Sequence, residues 1–320
     1  MQNIKPGQRW ISTAEPELGL GTILRADNRQ SDIVFTGCGE LKHFTHTASP
    51  LLRVQFEAGD WISVDGQSLY VSECIEREGI AHYLCAGTEY IEGRIDPEQP
   101  ALPAAMRLRV NQCDSGHCFD LRHDALRLEQ LNKDAFEHFA LALLGHFGIG
   151  FKPLPGHCFQ MDTQTSQLQT AVPEDALFAF DGEQSEENCQ IMDKSHPLLQ
   201  EALKHILDGG LGNACFMVDD SLPARSAVMQ TLFAAAEGCQ LLAIDAVNNI
   251  LPNYRPGEQA LYRSQHARID LQPYKRSLER MYPLMLERSM QEAQAQGLGK
   301  LLALRLVVGA EFALFGRNPR

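Results

Sequence analysis

The chain has 320 residues, 44% of them hydrophobic and 22% charged; this excludes wholesale disorder and fibrous architectures and leaves room for two or three domains with buried cores. Lys and Arg number 28 against 41 Asp and Glu, a formal net charge of −13. A protein that binds nucleic acid by general electrostatics has the opposite balance, so any such contact here has to be a local basic patch.

Residues 1–105 are rich in strand formers punctuated by turns. ILRADNRQSDIVFTG predicts a hairpin about the polar turn at 27–30, and SLYVSECIEREGIAHYLC predicts another turning at Glu78–Gly79. Gly7, Trp10, Ile11 and Ser12 recur as Gly59, Trp61, Ile62 and Ser63. A repeat of roughly fifty residues fits a small five-stranded barrel, so the front reads as two barrels in tandem, 1–56 and 57–105. Trp10 and Trp61 read as barrel core. Pro97, Pro100 and Pro103 mark the end of strand pairing.

Residues 106–130 read as an acidic connector and 131–320 as a mixed α/β domain. Asn132 predicts the N-cap of a helix whose Phe136, Phe139, Ala140, Leu143, Leu144 and Phe147 share a face, stopped by Gly148 and Gly150. Pro197 opens an amphipathic helix (Leu198, Leu199, Ala202, Ile206, Leu207) that ends at Gly209–Gly210. CFQM, ALFAF, ACFMV, AVMQTLFAA and QLLAI predict strands. Residues 274–296 predict a long helix interrupted at Pro283, and KLLALRLVV predicts a terminal strand. Between 111 and 190 the chain carries 13 acidic and 4 basic residues, whereas 263–288 holds six basic against three acidic, a mild basic helix face.

The nine cysteines are odd in number and scattered, and no CxxC pair occurs, so reduced, core-type cysteine in a cytosolic protein is expected. The polar MQNIKPGQRW lacks a signal peptide's apolar region, and the longest apolar stretch, 139–149, is about half a bilayer span; a cytoplasmic chain is expected.

Tests for chemistry are negative. Gly299–Lys300 is preceded at the Walker A position by Gln294 and followed by Leu301, so no phosphate-cradling loop forms. The glycines of GHFGIG and those at 209–212 follow helices and read as C-caps. No GxSxG elbow or HExxH is present. Cys113, His117, Cys118 and His123 offer zinc-type ligands, but their spacing is irregular and His117 adjoins Cys118, so a polar connector is the reading kept. His157–Cys158 reads as a strand residue with an exposed neighbour rather than a catalytic dyad. The adjacent acids Asp219–Asp220 and Glu186–Glu187 diverge on either a strand or a helix and make no acid–base pair. A non-enzyme with no metal and no cofactor is expected.

GQRWIS at Gly7, ELGLGT at Glu17, GEL at Gly39 and SPLLRVQFEAGD at Ser49 resemble, in order and separation, the N-terminal region of the RapA family, bacterial RNA polymerase-associated Swi/Snf-type ATPases. The likeness continues through Arg107–Leu108 and FDLRHDA. Residues 135–149, VPEDALFAFDG, SHPLLQEALKHIL and LLALRLVV resemble the family's C-terminal region, and together the two cover roughly nine-tenths of the chain. The family's ATPase motor, which would fall near 126–130, is absent, and with it the Walker A and DEAH-type boxes that hydrolysis needs.

The resemblance implies a multidomain fold, tandem Tudor-like or KOW-like β-barrels followed by a mixed α/β domain. It implies a non-catalytic accessory protein that binds core RNA polymerase through those barrels and modulates transcription or competes with a full-length relative. Barrels of this kind contact partners through edges and loops, which singles out Arg9, Trp10, Lys42, His43, Phe44 and Arg53. The alternative is an RNA- or DNA-binding module using the barrels with Arg263, Arg268, Lys275, Arg276 and Arg280; the net charge weighs against it.

Overall fold

The computed structural model describes residues 4–46, 49–99, 101–173, 176–181, 189–265, 271–310 and 312. The chain forms two compact units, Met1–Cys113 and Asp114–Arg320.

In the first unit, strands β1 (Arg9–Ser12), β2 (Gly21–Ala26), β3 (Gln30–Phe35), β4 (Glu40–Thr45) and β5 (Leu51–Arg53) build an antiparallel sheet in the order β4-β3-β2-β1-β5. The β2–β3 turn forms where expected because the Asp27 carboxylate accepts from the amides of Arg29 (2.7 Å) and Gln30 (2.8 Å), closing an Asx-type turn. Strands β6 (Trp61–Val64) and β7 (Gln67–Tyr70) make a hairpin, and β8 (Glu73–Arg77), β9 (Ile80–Cys85) and β10 (Thr88–Ile91) a three-stranded sheet. Both residues of the Glu78–Gly79 turn have positive φ, 53° and 86°, the geometry whose twist matches two-residue hairpins. Helix α1 (Ala104–Arg109) ends the unit.

These sheets are open; among the described residues their pairings close no barrel. The repeat does mark two corresponding strand starts, since Trp10 lies in β1 and Trp61 opens β6. Their fates differ: Trp10 is 1% exposed, whereas Trp61 is half-buried with its ring 5.5 Å from that of Tyr70. The two halves share one core, in which Ile11, Leu20 and Val54 pack with Ile62, Val71, Tyr83 and Ile95. A second cluster of Trp10, Ile23, Ile33, Phe35 and Leu51 fills the other side of the five-stranded sheet.

In the second unit, β11 (Asp114–Ser115) leads into α2 (Gly116–Leu126), followed by α3 (Lys133–His146). The stretch read as a connector therefore holds packed structure: Cys118 and Phe119 join a core with Cys215, Leu232 and Ala303. The acids of α2 give it the look of a linker, although Cys118 and Phe119 face one core and Leu121 and Ala125 another. Asn132 caps α3, its side-chain oxygen accepting from the Ala135 amide at 2.9 Å.

Strands β12 (Gly150–Leu154), β13 (Cys158–Asp162), β14 (Leu177–Ala179) and β15 (Gln190–Ile191) form a sheet in chain order. It packs with α3 and α4 (Pro197–Leu207) in a core containing Phe139, Leu143, Phe178, Leu199 and Ile206. Cys158 and Cys189 are joined by a disulfide. Uniformly reduced cysteine is thereby corrected, because β13 and the entry to β15, distant in sequence, are separated in space only by β14.

The main sheet has the order β11-β16-β19-β17-β18, from β16 (Ala214–Val218), β17 (Ala227–Ala234), β18 (Cys239–Asp245) and β19 (Leu301–Val308). β11, β16 and β19 run parallel, and β17 and β18 are antiparallel. Between β18 and β19 come α5 (Glu258–Ser264) and α6 (Lys275–Ala295), which runs on through Pro283.

Arg305, in the middle of β19, is 2% exposed. Its guanidinium donates to Asp120 (2.6 Å), to the Gly116 carbonyl (2.8 Å) and, through Nε and Nη2, to Gln230 Oε1 (3.0 and 2.8 Å), and it lies 4.6 Å from the Phe119 ring centre. A buried cation needs such a set of acceptors, and this one ties α2 to two strands.

Candidate partner-binding surface

The six residues expected at a partner surface separate into two groups. Arg9 and Trp10 lie inside the first unit. The Arg9 guanidinium donates to Thr22 Oγ1 at 2.5 Å and to the carbonyls of Ile95 and Gly93, and Trp10 Nε1 donates to Gln8 Oε1 at 3.1 Å. Burial pulls the Arg9 pKa down against the nearby carboxylates of Asp96 and Glu92. Neither side chain has surface left for a partner.

Arg53 is held by Glu92, a residue that sequence reasoning passed over. Glu92 is fully buried, and its carboxylate accepts from the amides of Arg9 (2.7 Å) and Ala81 (2.9 Å) and from Arg53 Nη2 (2.8 Å). Arg53 also donates to Glu76 (3.3 Å) and the Gly79 carbonyl (2.8 Å). Burial acts to lower the Arg53 pKa, and its bonds to Glu92 outweigh that and raise it. The group is a strut joining β1, β5 and β9, and a single Glu in EYIEGRID carries no local signal of that role.

Lys42, His43 and Phe44 stand together on β4. Strand alternation turns Phe44 inward, its ring 6.4 Å from Phe35 in an edge-to-face contact, while His43 faces solvent. Lys42 Nζ lies 2.5 Å from Glu15 and 3.5 Å from Glu40, and the hydrogen bond to Glu15 holds its pKa up. His43 Nδ1 is 2.7 Å from Asp32 Oδ1 on β3. Leu41 and Leu24, not singled out from the sequence, are 54% and 50% exposed on the same sheet. The arrangement offers exposed apolar side chains and hydrogen-bonding groups, and beside it Ser31 Oγ on β3 lies 2.6 Å from His46 Nε2 just beyond β4.

The alternative basic set is dispersed. Arg263 on α5 is paired with Asp220 at 2.5 Å, Arg268 lies outside the described residues, and Lys275, Arg276 and Arg280 are exposed on α6 beside Glu279. Asp219 accepts from Ser221 and the Gly257 amide (2.7 Å), so the adjacent acids do diverge; Glu186–Glu187 lies outside the described residues. Among the described residues no three His, Cys, Asp or Glu side chains are grouped to hold a metal ion, and no helix is long and apolar enough to cross a membrane.

Within the front unit of short antiparallel strands, residues 4–54 match a Tudor-like domain, the RapA N-terminal Tudor-like domain 1. The chain is related to RapA. It is 38% identical over 131 residues to the RNA polymerase-associated protein RapA of Actinobacillus pleuropneumoniae, which is 39% of this chain and 14% of that one. With RapA of Proteus mirabilis it shares 35% identity over 136 residues, 42% of this chain and 13% of that one. The matched region spans about one seventh of the length of these relatives.

Proposed function

We propose that this chain is a non-catalytic RNA polymerase-binding accessory protein of the bacterial cytoplasm, which modulates transcription or competes with a full-length RapA-like relative. The observation that carries the reading is the match of residues 4–54 to the RapA Tudor-like domain, together with the exposed β4 edge that the fold presents there. The missing Walker A motif supports a binding role for the residues of this chain. Affinity capture of tagged full-length chain with purified bacterial core polymerase at low salt tests it. Stoichiometric recovery is expected, and failure to co-elute removes the proposal. The Cys158–Cys189 disulfide is unusual for a reducing compartment, so acid-quenched thiol labelling in cells is a second check. Nucleic-acid binding is favoured by one feature, the exposed Lys275, Arg276 and Arg280 on α6; retention of single-stranded RNA on filters at 50 mM salt would place that reading first.

A further inference from the structure

The backbone of β4 sorts its six residues into two sets. In an antiparallel pair, opposed residues alternate between exchanging two hydrogen bonds and exchanging none. Just beyond the strand, the His46 amide donates to the Arg29 carbonyl at 2.8 Å. Stepping by two along the β3–β4 register, Phe44, Lys42 and Glu40 direct amide and carbonyl toward β3, and Thr45, His43 and Leu41 direct theirs away. β4 ends its sheet, and among the described residues no backbone hydrogen bond meets those three from outside. Three donors and three acceptors therefore line an open edge.

Proteins blunt such edges with proline, bulges, short strands or inward-pointing charges. β4 has no proline, pairs with β3 without a register shift, and is twice as long as β5 at the opposite edge. Of the two charges on the face it shares with Phe44, Lys42 is paired with Glu15 and with the other, Glu40. Leu41, 54% exposed, adds apolar surface on the edge strand itself.

We propose that β4 accepts an extended segment of RNA polymerase as a sixth strand of the sheet, an inference that rests on the polymerase-binding reading. Main-chain hydrogen bonds would supply affinity, and alternate side chains selectivity. The segment carries an apolar residue to lie beside Leu41. It carries a Lys or Arg toward the start of β4, where the two carboxylates Glu15 and Glu40 face the one amine of Lys42.

Residue-resolved amide hydrogen exchange of the full chain tests this, with overlapping 12-residue peptides tiling the core polymerase subunits as probes and intact core polymerase as the binding control. In complex, the amides of Leu41, His43 and Thr45 are expected to slow at least about tenfold, while those of Lys42 and Phe44 are slow already. His43→Pro removes an outward donor and no backbone bond to β3; the side-chain contact with Asp32 that goes with it is largely solvent-exposed, so the variant is expected to unfold close to the wild-type temperature and to bind polymerase about tenfold more weakly. If that variant fails to fold, the wild-type exchange pattern decides alone. Polymerase binding with the three amides unchanged overturns strand addition and leaves the polymerase reading standing. No binding by wild type removes both. Slowing that rises with the concentration of the chain by itself makes a second copy the occupant and overturns the polymerase segment.

Discussion

Cutting the Cys158–Cys189 bond should destabilise the second unit alone, by an amount set by the length of chain it closes. The cysteines are 31 positions apart. In the chain-entropy model that loop removes about 12 cal/mol/K from the unfolded ensemble, or about 3.7 kcal/mol at 25 °C. With a urea m-value of about 2 kcal/mol/M, the midpoint should fall by close to 2 M. Cys189→Ser is the cleaner perturbation, because Cys189 is half-buried whereas Cys158 is 2% exposed and its replacement would also disturb packing. The two units report separately. Both tryptophans, Trp10 and Trp61, belong to the first unit, and among the described residues five of the six α-helices belong to the second. Ellipticity at 222 nm should therefore shift to lower urea while tryptophan fluorescence keeps its midpoint, and reductant should move wild type onto the variant and leave the variant unchanged. A fluorescence shift equal to the ellipticity shift, or an ellipticity shift below about 0.3 M, would refute the reasoning.

Three further outcomes follow from single side chains. Glu92→Ala leaves Arg53 without its buried partner and should cost the first unit about 3–5 kcal/mol, read as an early tryptophan transition in urea. Asn132→Ala removes the α3 cap and should cost about 1 kcal/mol in the ellipticity transition. Burial, with Asp120 nearby, raises the Asp124 pKa from 3.8 to about 6. The folded state thus holds its proton longer than the unfolded state, and stability contributed by the neutral form is lost as pH rises from about 4 through about 6. Asp124→Asn should accordingly raise the melting temperature at pH 7.5 and leave it unchanged at pH 4. Because that carboxyl is 41% exposed, solvent screening keeps the gain to about 1 kcal/mol or less.

The features read correctly from the sequence are those whose cause is local. The Asn132 cap acts three residues away, Pro197 starts its own helix, and the Glu78–Gly79 turn needs only its two central residues. Strands β16 to β19 of the main sheet were legible because each is an apolar run of ordinary length, whereas the two-residue β11 lay in the stretch read as a connector. Lys42, His43 and Phe44, singled out as edge or loop residues, lie on β4 at the end of their sheet. Arg9 was singled out with them, and nothing within ten residues of it reveals the carbonyls of Gly93 and Ile95 that absorb it.

The residues that sequence reasoning missed have one property in common. Glu92 meets Arg53 and the Arg9 amide across 39 and 83 positions, and Arg305 meets Gln230 and Asp120 across 75 and 185. Each is a charge inside an otherwise apolar setting, where isolation would cost several kcal/mol, so its presence implies partners that the local sequence does not contain. A lone charge inside an apolar strand run, as Arg305 in LLALRLVV, is therefore itself the legible signal. It marks the point at which distant segments have to converge, and at Arg305 the segment that answers is α2, the stretch whose acids had made it look like a linker.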